Sequence, residues 1–264
     1  MKDVYVSSIH IYPVKGLAGI EVDSARAENE GLENDRKLML VDKTGRFLSQ
    51  REHAKMTLFK CDIKNSDLEI SYDNDSISIN LNQDLESLRP VSVWNSKLKS
   101  RVYPDKVNNW FSEHLDQEAF LVRLDPAHAR YKRLFTKPYK TNVSFADGYP
   151  FLILSEASME LLNSKLDKKL LIDRFRANII LKGGEPHFED EIEEFKIGSA
   201  EFKNINPCAR CIVTTIDQQT ASKTPEPLKT LAKYRKWNNN IYFGMNSICT
   251  RDGIINTDEQ VLIK

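Results

Sequence analysis

Asn206-Pro207-Cys208-Ala209-Arg210-Cys211-Ile212-Val213-Thr214-Thr215-Ile216-Asp217 is the stretch on which the reading of this chain turns. It holds two of the four cysteines. Upstream, residues 195–202 read as a hairpin with Gly198-Ser199 at the turn, and the β-branched run after Cys211 predicts a strand. Arg210 stands beside Cys211, and a neighbouring guanidinium favours thiolate, the form that attacks and that binds metal. Three readings of the pair are open. The cysteines can be small core residues. They can be a redox dithiol, although that motif normally opens a helix in a βαβ unit, and here a proline precedes and β-branched residues follow. They can ligate metal. Structural zinc takes four N or S ligands, and Cys61 and Cys249 stand alone, so a four-cysteine site is not expected. A soft metal held by one thiolate, with its other ligands from a cofactor, stays open.

The chain has 264 residues, enough for one large or two modest domains, and a hydrophobic share of 41% that can fill a core. Lys+Arg and Asp+Glu both number 38. This balance argues against a general nucleic-acid or membrane-surface binder, though not against a local basic pocket. The irregular cysteine spacing does not form a disulfide framework and suits a reducing compartment. Met1-Lys2-Asp3-Val4-Tyr5-Val6 leads straight into a strand pattern without the n- and h-regions of a signal peptide. No apolar run approaches the roughly 18 residues that span a bilayer. A cytoplasmic protein with neither nucleic-acid nor membrane partner is expected.

Residues 4–12 read as a strand ended by Pro13, and strand-like alternation resumes at 20–27. Lys43-Thr44-Gly45 predicts a hairpin between 37–42 and 46–51. Alternating Phe59/Cys61/Ile63, Leu68/Ile70/Tyr72 and Ile77/Ile79/Leu81, with polar turns at 65–67 and 73–75, predict a meander of the kind found in small barrels or sandwiches. Val107, Trp110, Phe111 and Leu115 share one helix face. Residues 120–124 and 151–154 read as strands, and Ser155 as the cap of a helix striped by Met159, Leu162 and Leu166. Residues 126–147 are polar and basic, with Arg130, Lys132, Arg133, Lys137 and Lys140, and read as a solvated loop that could serve as a lid or docking surface. Thr224-Pro225 predicts a helix start. Two strands close the chain around Asp252-Gly253.

Five motifs in register carry a family resemblance. They are Tyr12-Pro13-Val14-Lys15-Gly16, Asn34-Asp35-Arg36, residues 150–158 from Pro150, Arg174-Phe175-Arg176-Ala177-Asn178, and residues 207–215 around the cysteines. In this order they resemble the MOSC-domain molybdenum proteins, in the branch of the mitochondrial amidoxime-reducing component and its bacterial relatives. The resemblance implies an α+β, mainly β fold. A β-rich, barrel-like N-terminal domain over 1–120 would join a MOSC β-barrel with a few helices over 121–264. It implies a molybdenum cofactor, a pterin dithiolene with a phosphate tail, with Cys211 as metal ligand and catalytic centre. Lys15, Arg36 and Arg176 match positions that contact the cofactor, with Asn178 beside them and Arg210 before the ligand. Such an anionic group needs cationic partners. Gly16, Gly148, Tyr149 and Ala209 fall on cofactor-contacting positions where relatives often carry hydroxyl residues. Cys208 receives no role.

The implied activity is reduction of small N-hydroxylated compounds (hydroxylamines, amidoximes, N-hydroxy nucleobases) to amines or amidines, a detoxifying reaction. The chain shows no cysteine run for an iron–sulfur cluster and no G-x-G-x-x-G fingerprint. Electrons are therefore expected from a separate protein: a ferredoxin, a flavodoxin, a cytochrome b5-like protein or a flavin reductase. Residues 130–140 are the candidate docking surface. A second reading is a molybdenum cofactor carrier or sulfur-handling protein, but without the pyridoxal-phosphate domain of a sulfurase, for which the chain has no room. A third is a cofactor-free dithiol protein.

Overall fold

The computed structural model describes residues 3–128, 130–133 and 140–264. Strands dominate the described residues, with three α-helices, Asp105–Leu115, Glu156–Asn163 and Leu228–Leu231, and five short 3-10 helices among them. This is the mainly β, α+β class that the sequence predicts. The strands form mixed, open sheets, and no closed barrel occurs among the described residues.

A nine-stranded sheet is built around the long strands Ala200–Ala209 and Asn240–Arg251. Next to them run Phe151–Ser155 and Ile179–Lys182, paired in parallel, and then Tyr5–Ile11, which pairs antiparallel with Ile179–Lys182. The first strand of the chain thus belongs to a sheet made mostly from its second half. Two residues later the chain has changed sheets. Val14–Lys15 pairs in parallel with Leu38–Val41, which also pairs with Phe120–Leu124 in a five-stranded sheet. Pro13 sits at this crossing because it cannot donate to either ladder. A hydrophobic core lies under each side. Val6, Ile9, Phe151, Ile179 and Phe202 pack on one. Phe59, Leu68, Ile70, Phe111 and Leu121 pack on the other.

The meander forms as read, in strands Lys60–Lys64, Asp67–Tyr72 and Asp75–Asn80. So do the hairpin closed at Gly198-Ser199 and the helix whose Ser155 side chain accepts from the Ser158 N–H. Other expectations need correction. Residues 20–27 split into Ile20–Val22 and Ser24–Glu28, which join different sheets. The second arm after Lys43-Thr44-Gly45 is reduced to isolated bridges at Arg46 and Phe47. Ile212–Thr215 is a 3-10 turn instead of a strand. Its threonine hydroxyls donate to local carbonyls, Thr214 to Cys211 at 3.0 Å and Thr215 to Ile212 at 2.7 Å, and offer the backbone a turn in place of a ladder. The helix expected at Thr224 begins only after Pro227, and the Thr224 hydroxyl donates to the Glu226 carbonyl instead of capping. The basic stretch is not one loop, since Arg130–Arg133 and Lys140–Val143 pair as antiparallel strands. Lys137 lies outside the described residues, as do Met1 and Lys2.

Candidate functional site

Lys15 and Gly16, just past the crossing at Tyr12-Pro13, border a cavity of about 650 Å³. Lys15, Gly16, Arg36, Gly148, Tyr149, Arg176, Asn178, Ala209, Arg210 and Cys211 all line it. Residues spread over nearly 200 positions meet there because strands from both halves of the chain share the sheets around it. Six lining residues are cationic and one, Asp147, is anionic, in a chain whose formal charge is zero.

The cations are held in different ways. The Lys15 ammonium, 8% exposed as a residue, donates to the Asp147 carboxylate and to the Phe145 carbonyl at 2.9 Å. Burial pulls Lys15 below the ordinary lysine range, against the opposing pull of Asp147. Burial would raise Asp147, but Lys15, the Trp94 indole N–H and Arg51 outweigh it and hold the carboxyl well below the usual range. Arg36 pairs with buried Asp35 and donates to Asn178 Oδ1 at 3.2 Å and to the Arg176 carbonyl at 3.1 Å. Asn178 also accepts from the Leu152 N–H and donates to the His10 carbonyl, so its amide ties Arg36 to two strands of the nine-stranded sheet. Arg36 and Arg176 lie over the ring of Tyr12, at 4.6 and 4.2 Å from its centroid.

Arg176 and Arg210 have no carboxylate partner among the described residues, and Arg176 Nη2 and Arg210 Nε have no hydrogen-bond partner there. Burial pulls the Arg176 guanidinium down to about 10, against the Tyr12 phenol and with repulsion from Arg36 added. An anion in the cavity would offset this repulsion. Both Arg36 and Arg176 adopt left-handed backbone, with φ of 52° and 54°, a conformation disfavoured for any residue with a Cβ. Gly16, at φ 88°, is in the same region at lower cost, and a Cβ there would stand 2.8 Å from the Met56 methyl group.

The cysteines fall into two kinds. Burial pushes the Cys61 and Cys249 thiols up to about 12, which makes them inert. Cys208 and Cys211 line the cavity. The sequence-adjacent Arg210 does not serve Cys211, because its Nη1 lies 3.0 Å from Cys208 Sγ. The guanidinium on Cys211 is that of Arg51, with Nη2 3.1 Å from Sγ. No group of three or more His, Cys, Asp or Glu able to hold a metal occurs among the described residues. A cysteine sulfur in a cationic wall therefore suits a metal that arrives with other ligands on an anionic carrier.

The family description "MOSC N-terminal beta barrel domain" matches residues 3–118, and "MOSC domain" matches 140–262. The human mitochondrial amidoxime-reducing component 1 is 32% identical over 245 residues, covering 88% of this chain and 72% of that protein. The chain belongs to the MOSC-domain family. The mouse amidoxime-reducing component 1 is 31% identical over 87% of this MOSC chain and 71% of its own length. A molybdenum cofactor sulfurase of rice (Oryza sativa subsp. japonica) is 31% identical over 93% of this chain, which spans only 32% of that protein. No helix among the described residues is long and apolar enough to cross a membrane, which leaves β-barrel insertion unaddressed.

Four residues of this MOSC site escape a reading by sequence: Tyr12, Arg51, Trp94 and Asp147. Tyr12 reads as a strand end, yet its ring backs two guanidiniums and its hydroxyl donates to the Ala177 carbonyl at 3.1 Å. Arg51, Trp94 and Asp147 come from separate loops and meet at the cavity wall. Asp147 could have been suspected as the acidic residue directly before Gly148-Tyr149. Arg51 and Trp94 carry no local signal.

Proposed function

We propose that this chain is a molybdenum-cofactor-dependent oxidoreductase that reduces N-hydroxylated compounds, acting in the cytoplasm as a detoxifying enzyme. The observation that carries the reading is the cavity-lining thiol of Cys211, with Cys208 beside it, set in a wall of six cations with one carboxylate. When bound, the cofactor supplies the two-electron chemistry that removes oxygen from nitrogen. In the overall reaction R–NH–OH, two electrons and two protons give R–NH2 and water, with the N–O bond broken.

Cys211 Sγ is the attachment point for the metal, and Arg51 Nη2 donates to that sulfur. Arg36, Arg176 and Arg210 offer planar donor sets to the anionic parts of the cofactor, and Lys15 offers a point charge. Asn178 and Tyr12 fix the two central guanidiniums in place. Ala209, Gly148 and Tyr149 shape the wall without adding charge. The electrons come from a separate protein of the ferredoxin, flavodoxin, cytochrome b5 or flavin-reductase kind, for which residues 130–140 are one docking candidate.

The test is elemental mass spectrometry for molybdenum in protein from a host that makes the cofactor, with Cys211→Ala alongside. Near-stoichiometric metal in the parent and its loss in the variant are expected. Metal retained in the variant together with full N-hydroxy reduction would remove Cys211 from this role. The likeness to a cofactor sulfurase supports a second reading, a cofactor carrier without turnover. Steady reduction of a hydroxylamine with a chemical electron donor would separate the two.

A further inference from the structure

Trp94 occupies the two-residue turn between strands Leu88–Val93 and Ser96–Val102, where Val93 pairs with Ser96. Its φ is 53°, a left-handed conformation that turns usually give to Gly, Asn or Asp. A bulky residue placed there against local preference points to a role for its side chain. The indole lies at the cavity wall and is 47% exposed. Its N–H donates to Asp147 Oδ1 at 3.0 Å, and the Arg51 guanidinium lies 4.7 Å from the ring centroid. Phe47 meets the ring at 5.0 Å and 55°. The same Arg51 reaches Cys211 Sγ. One side chain thus separates an exposed aromatic surface from the thiol that marks the reacting centre. The indole's one polar group is already satisfied, so what it still offers a ligand is π surface. The guanidinium stacked on it is planar too, and both kinds of plane accept a flat, conjugated partner.

We propose that Trp94, with Arg51 stacked upon it, is the platform that selects planar, conjugated N-hydroxylated substrates over aliphatic ones. The inference rests on the proposed reductase reading for the reaction, while ligand stacking is measurable without turnover. Benzamidoxime and acetamidoxime carry the same reacting head and differ in the ring. Trp94→Ala is expected to lower the ratio of their kcat/KM values by about tenfold, through KM of the aromatic compound. Trp94→Phe keeps a ring face but loses the N–H bond to Asp147, and it should retain most of the preference. An equal effect of Trp94→Ala on both amidoximes would reduce Trp94 to a structural role and overturn the proposal. So would Trp94→Phe behaving like Trp94→Ala. Without an electron donor, the same protein is titrated with the neutral benzamidoxime and acetamidoxime by tryptophan fluorescence. Benzamidoxime should bind about tenfold more tightly and quench the parent protein, and Trp94→Phe, which keeps Trp110 and Trp237, should lose that quenching. If neither amidoxime is reduced, the reductase reading fails and the titration alone decides the platform. Absence of a benzamidoxime preference in the parent overturns it.

Discussion

The meander over Lys60–Asn80 and the crossing at Tyr12-Pro13 are built on opposite terms. In the meander every residue follows its local rule. Leu68, Ile70, Ile77 and Ile79 alternate inward and are buried, and the strands are antiparallel neighbours in sequence. Its left-handed turn positions are Asn65 and Asp73, side chains that tolerate that conformation. At the crossing the local rules are broken. Arginines hold the left-handed positions, a lysine is buried, and neighbouring strands lie far apart in sequence. Local strain collects where surrounding structure over-determines it, commonly at functional sites. The meander is there to hold the fold, and the crossing is where stability is given up for charge.

That contrast can be broken by separating stability from metal content. Ile70 is fully buried in the meander core, so Ile70→Ala should cost about 2–5 kcal/mol of unfolding free energy in urea. Molybdenum per folded chain should not change. Metal lost in parallel with stability would mean that the two regions are one cooperative site. Arg176→Gly should do the reverse. Glycine accepts the φ of 54° without strain, which offsets the lost contact with Tyr12 and the 2.7 Å bond to the Leu17 carbonyl. Stability should stay within about 1 kcal/mol of the parent. Molybdenum content should fall about tenfold, the loss expected for a charge-assisted contact to an anion. Full metal content in this variant would take Arg176 out of the cofactor wall.

The same contrast explains what could be read in advance. The meander, the helix face of Val107, Trp110, Phe111 and Leu115, and the Ser155 cap follow period and chemistry within a few residues, and they stand as expected. The ten site residues were placed by motif resemblance, and the fold gathers them in one cavity. The pairing of Tyr5–Ile11 with Ile179–Lys182 leaves no trace in either segment, because a ladder needs only backbone groups. Arg51 is equally silent in the sequence: Arg210 adjoins Cys211 there, but Arg210 Nη1 donates to Cys208 and Arg51 Nη2 to Cys211. The run after Cys211 forms no strand because β-branching favours strands only until threonine hydroxyls find nearer acceptors.

The smallest expected effect sharpens the comparison through pH. Asp62 and Lys64 in the meander lie 3.2 Å apart with both side chains largely exposed, so Asp62→Asn should leave stability unchanged within error. The pair of Lys15 and Asp147 differs, because the lysine is buried and the carboxylate, 54% exposed, also receives the Trp94 N–H. Screening of that half-exposed carboxylate limits the deficit of Asp147→Asn at pH 7 to about 1 kcal/mol. The sign with pH follows from the depressed carboxyl. A group held lower in the folded chain than its ordinary 3.8 contributes fully above that value and loses its contribution as pH falls through the folded one. Urea unfolding should therefore show a constant deficit from pH 7 down to about 5, and convergence of parent and variant only in stronger acid. In the variant, Lys15 is left without its carboxylate, and burial should lower its ammonium further. The deficit should then narrow again on the alkaline side, where the lysine sheds its proton. A deficit unchanged at both extremes would mean that Asp147 holds the cavity wall by shape and hydrogen bonding, with its charge contributing nothing.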